Sequence, residues 1–431
     1  MVFTWYFIGL VFLLGTAAFF WPTWYIGYTL IVLFLTWLGD RFLTLKRPQI
    51  QARRVFKNPC YQNQQLNIEI ILVNPGEQSI LIRIKDEPPF VAKAPHCQGI
   101  IVIPARGEGN FSYSMIAPIR GVFDFGDLNL RMNGRLQLFT YQFKVPLQQE
   151  LKVYPDLEKL FSGSLGRWVG GAEQGRRHIR QVGSGGELAE LREYTPGDDY
   201  RKINWKVTAH RGKPFVNQFD PEKDQNVFLI FDTGRVLFDQ ITLETSRLDH
   251  ILDSAILLAY NIQEYGDMIG ALSFNSKIEH FLPVGKGKSH LKVFINEFFD
   301  TQAAMVESDY RNAFSFLQGK VNKRSLIFIY TDLLDSESSK ELIQYLQIFS
   351  RRHLVICVLS RQKSLDRLIS LPIIDQQSAY LKGTALELLK ERELTMKSLV
   401  NYGIKVMEVD PTTIRQSVVE HYNYLKRVGL F

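Results

Sequence analysis

The chain has 431 residues, of which 46% are hydrophobic and 22% charged, with a formal net charge of +7. This is the composition of a globular protein with room for two or three domains and more than one core. Its basic residues are spread along the chain, which argues against a nucleic-acid partner and suits attraction to an anionic membrane surface. Three well-separated cysteines, Cys60, Cys97 and Cys357, make neither a disulfide framework nor a CxxC metal knuckle.

Met1 to Phe20 carries no charged side chain, and Thr23 to Leu38 is again apolar before Asp40 and Arg41. Each run approaches the roughly 20 residues that span hydrocarbon, so the sequence predicts a two-span transmembrane hairpin over 1–45, turned at Trp21, Pro22 and Trp24. A cleaved signal peptide is disfavoured, because no basic stretch precedes the first run and a second follows at once. Arg41, Lys46, Arg47, Arg53, Arg54 and Lys57 follow the second run, which places the body on the cytoplasmic side of the cell membrane as a multi-pass protein.

Over 46–155 the pattern changes to short alternating stretches, LNIEIILV, ILIRI and GIIVI, separated by NPGE, DEPP and PARGEG turns. Alternation of this kind predicts an all-β sandwich with one buried and one wet face to each sheet. The RGVFDFG stretch from Arg120 to Gly126 reads as a strand entered through a glycine turn.

A linker over 156–222 contains the densest pattern of the chain, GGELAELREYTPGDDYRKINWKVTAHRG. Pro196 and Gly197 suit the centre of a type II turn. Arg192, Glu193, Asp198 and Arg201 could knit an ion-pair clasp that sets Trp205 on apolar surface, or the same residues could form a partner-docking surface, since Trp, Tyr and Arg dominate binding hot spots. The residues Gly186, Glu187, Leu191, Arg192, Tyr194, Gly197, Asp198, Arg201, Ile203 and Trp205 resemble the signature of the domain of unknown function 58 family; His210 departs from it, standing where the family usually has arginine.

From 223 to 431, NVFLIFD, MIGALSF, SLIFIYTD, HLVICVLS and IKVMEVD alternate with amphipathic stretches, which predicts a doubly wound α/β domain. Leu248, Ile251, Leu252, Ala255, Ile256 and Ala259 form one helical stripe. Two strands end in aspartate, Asp232 and Asp332, at the end of a parallel sheet where function sits. The domain resembles a von Willebrand factor A domain, and the resemblance implies a divalent cation such as magnesium held by a DxSxS aspartate, two hydroxyls, a later threonine and an aspartate. Here the motif is degenerate: Gly234 and Val236 replace the serines, Thr233 is out of register, and Ser308 and Asp309 are the substitutes on offer. Asp232 and Asp332 are therefore the candidate metal ligands, set against a structural role as helix caps or partners of Arg235.

No GxSxG or HExxH motif occurs and the eight histidines are scattered, so the expectation is a non-enzymatic protein. Family resemblance implies a membrane-tethered adaptor for a MoxR-type AAA+ ATPase, in protein remodelling or complex maturation. The alternatives are a metal-dependent ligand-binding module that works without an ATPase, and an enzyme acting on envelope precursors through Asp232 and Asp332.

Overall fold

A computed structural model describes residues 2–19, 24–43, 50–133, 139–160, 187–195, 200, 203–220, 224–239, 241, 245–333 and 336–430. The chain divides into two compact units, Met1–Asp156 and Leu157–Phe431.

The first unit begins with strand β1 (Val2–Phe3) and helices α1 (Trp5–Phe19) and α2 (Trp24–Leu43). This corrects the expected transmembrane hairpin: among the described residues, no helix is long and apolar enough to cross a membrane. The first apolar run is divided between a strand and a helix, because Val2 and Phe3 pair with Thr140 and Phe139 of a later strand. The helix that remains has 15 residues. At 1.5 Å per residue it reaches about 22 Å, short of a hydrocarbon core of roughly 30 Å. The second helix carries Asp40 and Arg41 before its end, and Asp40 is buried. Both helices nonetheless leave apolar side chains exposed, among them Trp5, Phe12, Leu30 and Phe34.

Ten further strands follow: β2 (Gln51–Val55), β3 (Cys60–Tyr61), β4 (Gln65–Val73), β5 (Ile80–Lys85), β6 (Gln98–Ile103), β7 (Glu108–Ile116), β8 (Gly121–Phe125), β9 (Leu128–Asn133), β10 (Phe139–Val145) and β11 (Gln149–Tyr154). They form sheets ordered β1-β10-β9-β5-β6, β2-β4-β7 and β3-β11-β8. Period-two alternation drives the packing: Leu66, Ile68, Ile70 and Leu72 of β4 turn inward, while Gln65, Asn67 and Glu69 stay wet. They meet Ile82, Ile84, Phe125, Leu130 and Leu151 in one core. Gly121 opens β8 at φ 133°, a backbone conformation that a side chain would resist. Arg54 is no membrane-flanking charge. It lies on β2 and is buried against Asp86, with Nε 3.1 Å from Oδ2, while the Tyr113 hydroxyl donates to the same oxygen at 2.7 Å.

The second unit contains the antiparallel pair β12 (Glu187–Glu193) and β13 (Phe215–Asp220), between which in sequence lies the short helix α3 (Trp205–Arg211). A six-stranded sheet then runs in the order β16-β15-β14-β17-β18-β19, from β14 (Asn226–Asp232), β15 (Met268–Phe274), β16 (Ile278–Gly285), β17 (Ser325–Thr331), β18 (Leu354–Ser360) and β19 (Lys405–Val409). All neighbours are parallel except β15 and β16. Every residue of β14 and β17 is buried, as strands covered on both faces require.

Helices α4 (Arg247–Glu264), α5 (Lys288–Phe298), α6 (Tyr310–Lys320), α7 (Ser336–Ser350), α8 (Lys363–Ser370), α9 (Gln376–Asn401) and α10 (Ile414–Val428) complete the unit. Ser246 and Asp249 form a reciprocal capping box that starts α4, and its buried residues include Leu248, Ile251, Leu252, Ala255, Ile256 and Ala259. The chain leaves β14 towards β15 on one side and returns to β17 on the other. The strand order therefore reverses between β14 and β17, the place where open α/β sheets leave a crevice at the carboxyl ends of their strands.

Candidate functional site at the strand ends

Asp232 ends β14 and is fully buried. Its Oδ1 accepts from the Gly234 N–H at 3.2 Å and from the Ser308 hydroxyl; its Oδ2 accepts from the Tyr310 hydroxyl at 2.8 Å and the Thr331 hydroxyl at 2.7 Å. Burial pushes the Asp232 carboxyl above the usual range, against the pull of the bonds from Ser308, Thr331, Tyr310 and Gly234. The Tyr310 phenol is pushed up by its burial and by the charge of Asp232.

Gly234 sets this geometry. A Cβ there would come 2.1 Å from the Ser308 Oγ and 3.0 Å from the Val306 carbonyl oxygen. The hydroxyl beside Asp232 thus comes from Ser308, and the glycine makes the space for it. Thr233 turns away, its hydroxyl sharing one hydrogen between the Phe274 carbonyl at 2.9 Å and Glu279 at 2.7 Å. Asp309 caps α6 by accepting from the Asn312 N–H at 2.9 Å.

Asp332, one residue past β17, is also buried and meets two guanidinium groups. Its Oδ2 accepts from Arg247 Nη1 at 2.6 Å and Gln362 Nε2 at 2.8 Å; its Oδ1 accepts from Arg392 Nη1 and from the Leu333 N–H at 2.8 Å. Arg247 continues to Asp239 at 2.8 Å, and Arg392 to Glu408 at 3.2 Å. Arg235 pairs with Glu307 at 2.7 Å.

These contacts test whether Asp232 and Asp332 suit a divalent cation. Magnesium requires near-octahedral oxygen ligands. Both oxygens of Asp332 already accept from guanidinium, amide or backbone nitrogens, none of which can ligate a cation, and two fixed positive charges adjoin it. The donor set does not fit a divalent ion as arranged. Among the described residues, no group of three or more His, Cys, Asp or Glu side chains could hold a metal.

The sequence reading named Ser308 but missed Arg247, Arg392, Tyr310, Thr331 and Gln362. Two signals were available. Arg247 stands in the first turn of α4, where the helix dipole disfavours a cation unless a carboxylate compensates. Ala385, Arg392 and Leu399 are the buried residues of α9, so an arginine sits at a heptad position of the apolar face.

A cavity of about 280 Å³ lies beside Arg392, lined also by Arg361, Gln362, Asp366, Met396 and Glu408. The Cys357 thiol, buried in β18, is pushed up to about 12, chiefly by burial.

Of the dense segment, Glu187 and Arg192 lie on β12, and Tyr194 follows it, its N–H donating to the Pro214 carbonyl at 2.8 Å. Arg192 Nη1 donates to the Thr195 hydroxyl at 2.9 Å and the Glu193 carbonyl at 3.3 Å. Gly197, Asp198 and Arg201 lie outside the described residues. Asn204 caps α3 by accepting from the Val207 N–H at 3.2 Å. Trp205 opens α3 with 68% of its surface exposed, close in sequence to Tyr200 at 66%.

Residues 190–377 match the model of a family described as "Protein of unknown function DUF58". Among curated relatives, the uncharacterized protein Rv1480 of Mycobacterium tuberculosis (strain ATCC 25618 / H37Rv) is 27% identical over 154 residues, 35% of this chain and 48% of that protein. The uncharacterized protein YeaD of Bacillus subtilis (strain 168) is 23% identical over 186 residues, 42% of this chain and 43% of that protein. The chain thus spans about half or less of the length of these relatives. Among solved structures, the conserved hypothetical protein BatB from Bacteroides thetaiotaomicron aligns with 47% of this chain and 98% of its own, at 10% identity and a TM-score of 0.33. An aerotolerance-related membrane protein from Bacteroides fragilis NCTC 9343 aligns with 46% and 99%, at 11% identity and 0.31. Both structural likenesses are too slight to carry a functional argument. The matched span, residues 190–377, takes in Arg192, Trp205, Asp232 and Asp332.

Proposed function

We propose that this chain is a non-enzymatic protein-binding adaptor whose partner is a MoxR-type AAA+ ATPase. The observation that carries the reading is the exposure of Trp205, the first residue of α3, and of Tyr200, five residues before it. Large exposed aromatics are the residues that anchor interfaces. The sheet order, with one antiparallel edge strand, supports taking the C-terminal unit as von Willebrand factor A-like, a scaffold rather than a reaction site. Asp232 and Asp332 support the same view, since each is committed to hydroxyl, amide or guanidinium donors and both are buried away from the surface a substrate would reach.

Association with a membrane surface belongs to this proposal, supported by the apolar side chains that α1 and α2 expose. Such association would raise the local concentration of a membrane-bound complex at the adaptor without any chemistry.

The test is an affinity pull-down of the full chain from detergent extracts, comparing wild type with Trp205→Ala and with Trp205→Ala/Tyr200→Ala. Because both side chains are exposed, stability should change by no more than about 0.5 kcal/mol per site, so loss of binding is read in a folded protein. Co-purification of a MoxR-type ATPase with wild type, and its loss by roughly tenfold or more in the variants, is the expected result. Recovery of no ATPase with or without nucleotide, or equal recovery by all three proteins, would sink the proposal.

A further inference from the structure

The A-domain resemblance implies a divalent cation between Asp232 and the aspartate after the fourth strand, and the donor set at this place does not fit one. We infer that Arg247 and Arg392 are built-in cations that stand in for that metal, so that the carboxyl end of the sheet is held together independently of metal and is linked mechanically to α9. The inference goes beyond the adaptor reading and holds whatever partner the protein has.

Each part of the argument is geometric. Asp332 has two oxygens, and each receives one guanidinium nitrogen and one neutral nitrogen: Arg247 and Gln362 on Oδ2, Arg392 and the Leu333 N–H on Oδ1. Arg247 comes from α4, Asp332 from the end of β17, Gln362 from the residue before α8, and Arg392 from the middle of α9. A metal ion would draw ligands from separate loops to one point in the same manner.

The guanidinium groups are themselves held. Arg392 also donates to the Ser360 carbonyl at 3.2 Å at the end of β18 and to Glu408 of β19, so one side chain ties three strand ends to a helix. Arg247 bridges Asp332 to Asp239. Both arginines and Asp332 have at most 5% of their side chains exposed, so the pairs are scarcely screened by solvent. Asp232 completes the replacement differently: three hydroxyls and one N–H surround its oxygens, with the Ser308 hydroxyl in the space that a side chain at Gly234 would take.

Two measurements on the purified full chain test this. The first is Mn2+ titration, following the part of the binding that disappears in Asp332→Asn, together with the thermal transition in chelator and in millimolar Mg2+. The expected result is no Asp332-dependent binding, and a wild-type transition that moves by less than about 1 °C between the two conditions. Saturable Mn2+ binding lost in Asp332→Asn, or a transition several degrees higher in Mg2+, would overturn the inference.

The second is a mutant cycle. Arg392→Met should lower the transition by roughly 6–15 °C because it strands a buried carboxylate, and Arg392→Met/Asp332→Asn should recover at least half of that loss. Losses that simply add would overturn the inference. Should Arg392→Met yield too little folded protein, Arg392→Gln takes its place in the same cycle, since it also removes the charge beside Asp332 but keeps a hydrogen-bonding amide.

Discussion

Asp232→Asn and Asp232→Ala should behave very differently, and the contrast follows from the four donors around the carboxylate. Alanine leaves the Ser308, Tyr310 and Thr331 hydroxyls and the Gly234 N–H without their acceptor in a fully buried place. Each unsatisfied buried group costs about 1–3 kcal/mol, but removal of a buried charge gives part of this back. A net loss of about 2–4 kcal/mol is expected, which lowers the transition of the C-terminal unit by roughly 5–12 °C. Asparagine keeps the carbonyl acceptor for Gly234 and Ser308 and presents an amide that the Tyr310 and Thr331 oxygens can accept, so its cost should stay within about 1 kcal/mol.

Acid dependence separates the two roles of the group. Burial lifts the folded-state pKa of Asp232 above its ordinary 3.8, so the native protein holds this proton more tightly than the unfolded chain does. The stabilising contribution is complete at pH below the ordinary value and is lost as pH rises through the raised one. Urea unfolding at a series of pH values should therefore show a downward component with rising pH in wild type that Asp232→Asn removes. Equal destabilisation by Asn and Ala, or an unchanged pH dependence in Asp232→Asn, would refute the hydrogen-bonding account.

Gly234→Ala should lose about 1–3 kcal/mol in chemical denaturation, because the added Cβ displaces the Ser308 hydroxyl from Asp232 and presses on the Val306 carbonyl; a neutral result would mean that the loop yields freely. In the N-terminal unit, Arg54→Met should cost about 3–5 kcal/mol by stranding Asp86, and a second change, Asp86→Asn, should restore part of it. If the double variant is no better than Arg54→Met alone, the pair does not act through charge.

Strand alternation and helical stripes are local properties of the chain, and they marked β4, the central strands of the six-stranded sheet and the buried face of α4 correctly. The same reasoning found Asp232 and Asp332, because an aspartate closing a run of buried β-branched and aromatic residues is visible without coordinates. It failed where a residue's environment comes from far along the chain. Composition alone made Met1 to Phe20 look like one span, yet Val2 and Phe3 pair with β10 and shorten the helix that follows. Arg54 looked like one of a cluster of membrane-flanking charges, and only the packing of β2 puts it inside, against Asp86.

The sequence by itself determined which segments bury an apolar face and which residues sit at strand ends, since periodicity and hydrophobic burial act over a few neighbouring positions. Only the tertiary structure decided what those aspartates do. Arg247, Gln362 and Arg392 reach Asp332 from three separate elements. A buried charge takes whichever partners the fold brings within hydrogen-bond distance, and that distance is set by the packing of the whole unit, not by spacing along the chain.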